Sequence, residues 1–191
     1  MPEAWRERLS SFGLDASSME LLLEAELDSP AVSYLALIEE SSADKDFAKA
    51  MANWFVNLEI PLRGDEAAQL NDQLTNQGRL HVYRATYDLV QANKLSSSNA
   101  KTLLTTILTG SEQVADVAAI AQQHNLIQES DEGAIAKIVA DIVAANPKAA
   151  EDVRNGEEKA IGFLVGQIMK ASQGRANPKL AQDLIRKTLG L

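Results

Sequence analysis

Apolar side chains recur every three or four residues along almost the whole chain, which is the spacing of one face of an α-helix. No run of β-branched residues alternates with polar ones for long enough to predict a strand. The most aromatic stripe comprises Phe47, Met51, Trp54, Phe55 and Leu58. Asp44 is placed to cap this helix, and we expect it to end at Ile60-Pro61 because proline disfavours helix in the preceding residue. The pattern therefore predicts an all-α fold.

Two further stripes predict helices that pack beside the aromatic one. The first comprises Leu80, Tyr83, Tyr87 and Val90, and the second comprises Leu103, Leu104, Ile107 and Leu108. The three serines at 96–98 mark the start of the second helix, and Gly110 marks its end. We expect short turns between these helices.

The last third predicts three longer helices and one short one. Ser130 is placed to cap the first, which ends at Asn146-Pro147, and a short helix to about Arg154 follows. Gly174 ends the next helix, and Asn177 caps the last, with proline at its first helical position. The apolar faces of the three longer helices comprise Ile135, Ile138, Val139, Ile142, Ile161, Leu164, Val165, Ile168, Leu180, Leu184 and Ile185. Helices of this size predict a small three-helix tail bundle.

Two glycines, Gly162 and Gly166, lie one turn apart on the helix before Gly174. Because each costs about 1 kcal/mol against alanine if nothing requires it, we expect a tight helix crossing there. A domain boundary is expected near residues 125–130, where polar residues surround only two apolar ones. The predicted division is a helical domain at 1–128 and a tail domain at 129–191.

The composition excludes several classes of protein. A chain of 191 residues with 46% hydrophobic and 24% charged residues is globular, and the absence of cysteine excludes disulfides, thiolate metal sites and a cysteine nucleophile. No segment is apolar for the roughly 20 residues that a membrane span requires. The first residues lack the basic and apolar regions of a secretory signal, so we expect a cytoplasmic protein.

The net charge of -9 is unevenly distributed along the chain. Residues 1–66 hold 14 acids and 5 bases, whereas residues 159–191 hold one acid and 6 bases. An acidic total argues against general nucleic-acid binding, and no DNA partner is expected. The basic end nevertheless behaves differently, and its cations are the candidate ligand contacts Lys159, Lys170, Arg175, Lys179, Arg186 and Lys187.

These cations have two explanations. Lys170, Arg186 and Lys187 fall in the last turns of predicted helices, where a positive charge offsets the helix dipole. Arg175 and Lys179 gain no such benefit, because they flank the turn before the last helix. A phosphate could dock there, since amide groups at a helix start also attract anions.

No pattern in the chain predicts catalysis. The two histidines, His81 and His124, lie on different predicted helices without a metal-binding motif around them, and neither glycine-rich phosphate motif occurs. The acidic clusters do not follow the calcium-loop pattern and are better explained as solvated faces. We therefore expect no catalytic, cofactor or metal site in this chain.

From residue 130 onward the chain resembles the C-terminal tail of the GatB family, the B component of bacterial tRNA-dependent amidotransferases. The resemblance is carried by ANPKAAEDVRNGEEKAIGFLVGQIMKA and GRANPKLAQDLIRKTL, over some 60 residues. The GQIMK and GRAN core is shared by YqeY-type proteins and by tails appended to some glutaminyl-tRNA synthetases. Upstream, Ala52-Asn53-Trp54 lies in a helical pattern similar to the linker domain before that tail.

The resemblance implies a specific role. In the family, a heterotrimer of GatB with the A and C subunits converts Glu-tRNA(Gln) or Asp-tRNA(Asn) to the amidated form, with ATP and Mg²⁺ in a cradle domain of GatB. The helical and tail domains hold the tRNA. A chain without the cradle is expected to be a C-terminal fragment that binds tRNA(Gln) or tRNA(Asn), with contacts concentrated between Lys170 and Lys179.

Two alternatives remain open at this point. The chain could be a tail of the same kind appended to a glutaminyl-tRNA synthetase. It could instead be a protein-interaction module that docks a partner through the acids Glu24, Glu26 and Asp28.

Overall fold

The computed structural model describes residues 2–28, 32–71, 73–110, 114, 116–128 and 132–191. The helices of the first half are α1 (Pro2–Ser10), α2 (Ala16–Asp28), α3 (Tyr34–Glu40), α4 (Lys45–Trp54), a π-helical turn (Phe55–Glu59), α5 (Ile60–Gly64) and α6 (Asn76–Gln91). The remaining helices are α7 (Ser97–Leu108), α8 (Val117–Gln123), α9 (Glu132–Ala145), α10 (Pro147–Arg154), α11 (Glu158–Ala171) and α12 (Pro178–Leu189). The described residues contain no β-strand, so the all-α prediction is confirmed. Among them, no helix has the length and apolarity to cross a membrane.

Contacts divide the chain into two compact units. The first is Met1–Val90 with Ser97–Ala121, and the second is Gln91–Ser96 with Gln122–Leu191. The segment 91–96 joins the second unit through hydrogen bonds from Gln128 N to Lys94 O and from Asn177 Nδ2 to Asn93 O. The predicted division into a helical domain at 1–128 and a tail domain at 129–191 stays a prediction.

The aromatic stripe forms the core of the first unit. Phe47, Met51 and Phe55 are buried, and the Phe55 ring lies 4.9 Å from Tyr34 and 5.0 Å from Tyr83. The carboxylate of Asp44 accepts a hydrogen bond of 3.1 Å from the amide of Phe47, which confirms the predicted cap. The four apolar residues of the α7 stripe are also all buried.

The prediction that the aromatic helix ends at Ile60-Pro61 is wrong, because helical geometry continues to Gly64. The chain widens into a π-helical turn just before the proline, and the amide of Ile60 donates to the carbonyl of Phe55, five residues earlier. This shift places Pro61 in the first turn of α5, where a missing N–H donor is tolerated.

The buried face of α6 differs in part from the predicted stripe. Of that stripe only Tyr83 is fully buried, and the neighbouring buried positions are Arg79, Val82 and Thr86. Arg79 is buried because it forms an ion pair with Glu59, whose side chain has no exposed surface. Helical periodicity could not indicate this, since two charged residues are ordinarily expected at the surface.

Glu59 is the centre of a buried polar network. Its Oε1 accepts hydrogen bonds from Arg79 Nε at 2.9 Å and Arg63 Nη2 at 3.1 Å, and its Oε2 accepts one from Tyr83 OH at 2.6 Å. Arg63 Nε also donates to Tyr34 OH at 2.8 Å. Burial, with the nearby charge of Glu59, raises the pKa of Tyr34 to about 12 and the pKa of Tyr83 well above its usual value. The network thus joins α3, α5 and α6 to the π-helical turn.

The second unit is a bundle of α9, α11 and α12, with the short α10 packed on α9 and α11. Its core includes Ile135, Val139, Leu164, Ile168 and Ile185, all between 0% and 1% exposed. The predicted end of α11 at Gly174 is confirmed, because the helix ends at Ala171 and Gly174 adopts a left-handed φ of +77° in the turn that follows. The predicted cap at Ser130 lies outside the described residues.

Candidate nucleic-acid interface

The structure leaves the side chains of all six candidate cations exposed. They occupy both ends of α11 (Lys159 and Lys170), the turn that follows (Arg175) and both ends of α12 (Lys179, Arg186 and Lys187). All six lie in the second unit. Their exposure is the first requirement for contact with a polyanion.

On α12 the positive charge is partly offset. Asp183 lies four residues after Lys179 and three before Arg186, so the three share one helical face. Lys187 Nζ lies 3.4 Å from Glu132 Oε1, and both side chains are mostly exposed, so this pair adds little stability. The far end of α12 is therefore a weaker anion site than its charge count suggests.

The turn before α12 can contact an anion through its side chains but not through the first amides of the helix. The amides of Lys179 and Leu180 donate to Asn177 Oδ1 at 2.9 and 3.3 Å, which confirms the predicted cap. Because these donors are occupied, these two amides are not free to bind a phosphate that docks at this helix start. Within the described part of the chain, the side chains of Arg175 and Lys179 form no ion pair, so both can contact a ligand through their charge.

One face of α11 carries no acid. Lys159, Phe163, Gly166 and Lys170 follow one another at intervals of four, three and four residues, so they lie in line along the helix, with Gly162 beside them. Ile161, Leu164 and Ile168 point the opposite way into the core. We call the five exposed residues the α11 face. Phe163, at 49% exposure, is its only large apolar side chain.

The expected tight helix crossing at Gly162 and Gly166 is wrong. Both glycines are exposed, and a Cβ added at either position would meet no atom within 4 Å. The residues that pack in the bundle are Ile161 and Val165, each one position before a glycine. The glycines therefore point outward. Nothing in the described structure of the chain requires glycine there.

An open groove of about 560 Å³ lies beside this face. Phe163 and Lys159 line one wall, and Pro147 and Lys148 of α10 line another. The groove is bordered by Ala145, Asn146, Ala149, Asp152, Glu157 and Ala160. It therefore combines one aromatic ring, two lysines and two carboxylates.

Sequence reasoning identified Lys159 and Lys170 by charge but missed Phe163 and Lys148. The spacing of Phe163 from both lysines already placed it on their face, opposite the core positions of the same helix. Lys148 had no comparable signal, because its place in the groove depends on how α10 packs against α11.

The acids of the first unit are only partly available to a partner. Both oxygens of Glu26 are occupied, by Ser33 Oγ at 2.9 Å and by the amide of Leu35 at 3.1 Å. Glu26 therefore fastens the end of α2 to the start of α3, which weakens the protein-docking interpretation of the cluster at 24–28. Among the described residues, no group of three or more histidines or carboxylates is arranged to hold a metal ion.

Comparisons with known proteins agree on one family. A family model described as the GatB domain matches residues 36–189. The chain is 34% identical over 188 residues to the B component of the aspartyl/glutamyl-tRNA(Asn/Gln) amidotransferase of Bacillus pumilus, covering 97% of this chain and 37% of that protein. It is 32% identical over 192 residues to the protein of the same name in Geobacillus kaustophilus, covering 100% of this chain and 38% of the relative. The corresponding protein of Albidiferax ferrireducens is 39% identical over 146 residues, or 74% of this chain and 29% of the relative.

Proposed function

The chain belongs to the GatB domain family, and from that premise we propose that it binds tRNA for an aspartyl/glutamyl-tRNA(Asn/Gln) amidotransferase. It spans 37% of the length of the Bacillus pumilus relative, so the proposed role is that of one region of a larger activity. The observation that carries the proposal is the exposure of six cations in the last 33 residues, against one acid, all within residues 36–189 that the family model matches.

The physical chemistry of RNA recognition supports this role. A-form RNA is recognised mainly by its shape and by contacts to phosphates and 2′-hydroxyls, so a rigid helical unit with a few exposed cations is sufficient. About three to five phosphate contacts give binding that is weak and sensitive to salt. The remaining affinity for Glu-tRNA(Gln) or Asp-tRNA(Asn) then comes from the rest of the amidotransferase.

The proposed division of labour places chemistry and positioning in different parts of the enzyme. In this proposal, the chain orients the tRNA, and amidation with ATP, Mg²⁺ and glutamine takes place elsewhere in the complex with the A and C subunits. The relatives reported above are all amidotransferase proteins, which supports this role over that of a tail appended to a glutaminyl-tRNA synthetase.

The test is a titration of fluorescently labelled tRNA(Gln) and tRNA(Asn) with the 191-residue chain at several salt concentrations. We expect Arg175→Ala with Lys179→Ala to weaken binding and to reduce the slope of log affinity against log salt by about 1.4 to 1.8, because two phosphate contacts are lost. The matched control is Lys45→Ala with Lys101→Ala, which removes the same charge from exposed positions of the first unit.

Equal effects of the two double variants would show that only net charge matters and that this surface is not the binding site. Absence of tRNA binding by the unaltered chain, combined with retention of another subunit in a pull-down, would instead favour the protein-interaction alternative. Loss of that retention on neutralising Glu24 and Asp28 would support the same conclusion.

A further inference from the structure

The connection between α6 and α7 belongs to a different unit from the two helices that it joins. All of α7, and α6 as far as Val90, lie in the first unit, whereas residues 91–96 lie in the second. The chain therefore passes between the units three times, after Val90, after Ser96 and after Ala121. A connection of this length can join two helices of one unit directly, so its place in the second unit reflects the contacts that it makes there.

Within the second unit, residues 91–96 are linked to the turn before α12 by two routes. The direct route is the hydrogen bond of 3.4 Å that Asn177 Nδ2 donates to Asn93 O. The indirect route runs through Gln128, whose amide donates to Lys94 O at 2.7 Å and whose Nε2 donates to Ala176 O at 3.5 Å. Gln128 is 4% exposed and Ala176 is fully buried, so water does not compete for the second route.

The segment 91–96 is itself held in a particular conformation. Asn93 has a left-handed φ of +54°, which asparagine tolerates better than most residues other than glycine. This conformation precedes the two carbonyls, of Asn93 and Lys94, that accept the hydrogen bonds from the second unit. Leu95 follows and is 2% exposed, so the segment also has a buried apolar anchor.

The turn before α12 needs such support because its cations are not restrained by their own side chains. Arg175 and Lys179 are exposed, and in the ranges that the structure describes neither takes part in an ion pair. Their positions therefore depend on the backbone between them, which is bonded to other parts of the unit at Ala176 and Asn177. The affinity for a ligand falls in proportion to the fraction of molecules in which such a backbone is correctly placed.

We propose that residues 91–96 form a positioning segment for the turn between α11 and α12, and that this segment sets the tRNA affinity of Arg175 and Lys179 without touching the RNA. The inference rests on the proposed function, but it concerns residues outside the predicted tail at 129–191. It also explains why the connection between two helices of the first unit lies in the second unit.

The first experiment measures whether the segment holds the turn. Asn93 is exposed, so Asn93→Val disfavours the left-handed backbone without removing a core side chain, and Asn93→Gly is the matched control because glycine accepts that backbone. In the 191-residue chain, Asn93→Val should speed hydrogen exchange of the peptides at 126–128 and 174–177 by about fivefold or more, with α9 unchanged. Leu95→Ala should act in the same way, and Leu95→Met, which keeps the apolar volume, should restore the exchange of the unaltered chain.

The second experiment measures whether the position of the turn matters for binding. Asn93→Val and Leu95→Ala should each weaken tRNA binding by about three- to tenfold, whereas Asn93→Gly should not. Adding Leu95→Ala to the double variant Arg175→Ala with Lys179→Ala should cost no further affinity, because the contacts that the segment positions are already lost. A residue that only stabilised the fold would reduce affinity by the same factor in both backgrounds.

The outcomes separate this inference from the proposed function. If both Asn93→Val and Leu95→Ala leave exchange of the turn unchanged, the inference is overturned. If exchange rises but tRNA affinity does not change, or if Leu95→Ala costs the same in both backgrounds, the positioning role is wrong while tRNA binding stands. If the unaltered chain binds no tRNA, the proposed function itself fails, whereas the exchange measurement still decides whether the segment holds the turn.

Discussion

Replacement of Glu59 by glutamine removes one charge from the buried network of the first unit with almost no change in side-chain size. The carboxylate has no exposed surface and accepts hydrogen bonds from Arg79, Arg63 and Tyr83. Glutamine keeps one carbonyl acceptor but replaces the other oxygen with an NH₂ donor that faces existing donors. Arg63 is 19% exposed and can turn toward water, whereas Arg79 is 4% exposed and stays buried.

The expected cost follows from the charge left on Arg79. Loss of one partner of a buried ion pair typically costs 3–5 kcal/mol, because the remaining charge is neither solvated nor neutralised; about 3–5 kcal/mol is therefore expected for Glu59→Gln. Since whole domains are typically stable by about 5–15 kcal/mol, this loss should shift the unfolding transition strongly.

Urea unfolding followed by tryptophan fluorescence suits this measurement. Both tryptophans, Trp5 and Trp54, belong to the first unit, and the Trp54 ring lies 6.0 Å from Tyr83 in the network. The matched control is Glu20→Gln, whose carboxylate bonds Arg6 at 2.7 Å at a half-exposed position. That variant should barely change the unfolding midpoint, because exposed pairs contribute little.

A midpoint shift for Glu59→Gln no larger than that for Glu20→Gln would refute a cost from the unpaired charge of Arg79. A second variant tests the cause of the loss. Glu59→Met with Arg79→Met replaces the pair by apolar side chains and should recover part of the stability, because no charge stays buried at position 79, although the buried hydroxyl of Tyr83 still lacks its acceptor. A double variant no more stable than Glu59→Gln would show that the guanidinium left on Arg79 is not the cause of the loss.

Two further predictions concern a helix cap and a buried phenol. Asn177→Ala should cost about 1 kcal/mol in urea unfolding followed by circular dichroism, because the amides of Lys179 and Leu180 lose their acceptor, and an unchanged unfolding midpoint would contradict this cap. Burial and the nearby charge of Glu59 raise the pKa of Tyr34 to about 12 from its usual 10, so this phenol favours the folded state below pH 10 and loses that contribution, on the order of 2–3 kcal/mol, as the pH rises to 12. Tyr34→Phe should therefore lose less stability than the unaltered chain between pH 10 and pH 12, and equal losses would contradict the assignment.

Local signals in the chain predicted most of the helices and several of their ends. The caps at Asp44 and Asn177 and the buried stripe of α7 could be recognised because each depends on residues within one or two turns. The helix end at Pro61 could not be placed in the same way. Proline ends a helix on average, whereas here the π-helical turn Phe55–Glu59 precedes Pro61, which then lies in the first turn of α5.

The amino-acid sequence by itself determined the all-α class, the family and the position of the six cations, because periodicity, motifs and charge are properties of residue order. Only the tertiary structure decided which charges are buried and which small residues are exposed. Glu59 and Arg79 are 20 residues apart and become a pair only when the π-helical turn packs on α6. Likewise, periodicity placed Gly162 and Gly166 on one face, but the packing of α9 and α12 on the other side of α11 determined that this face meets solvent.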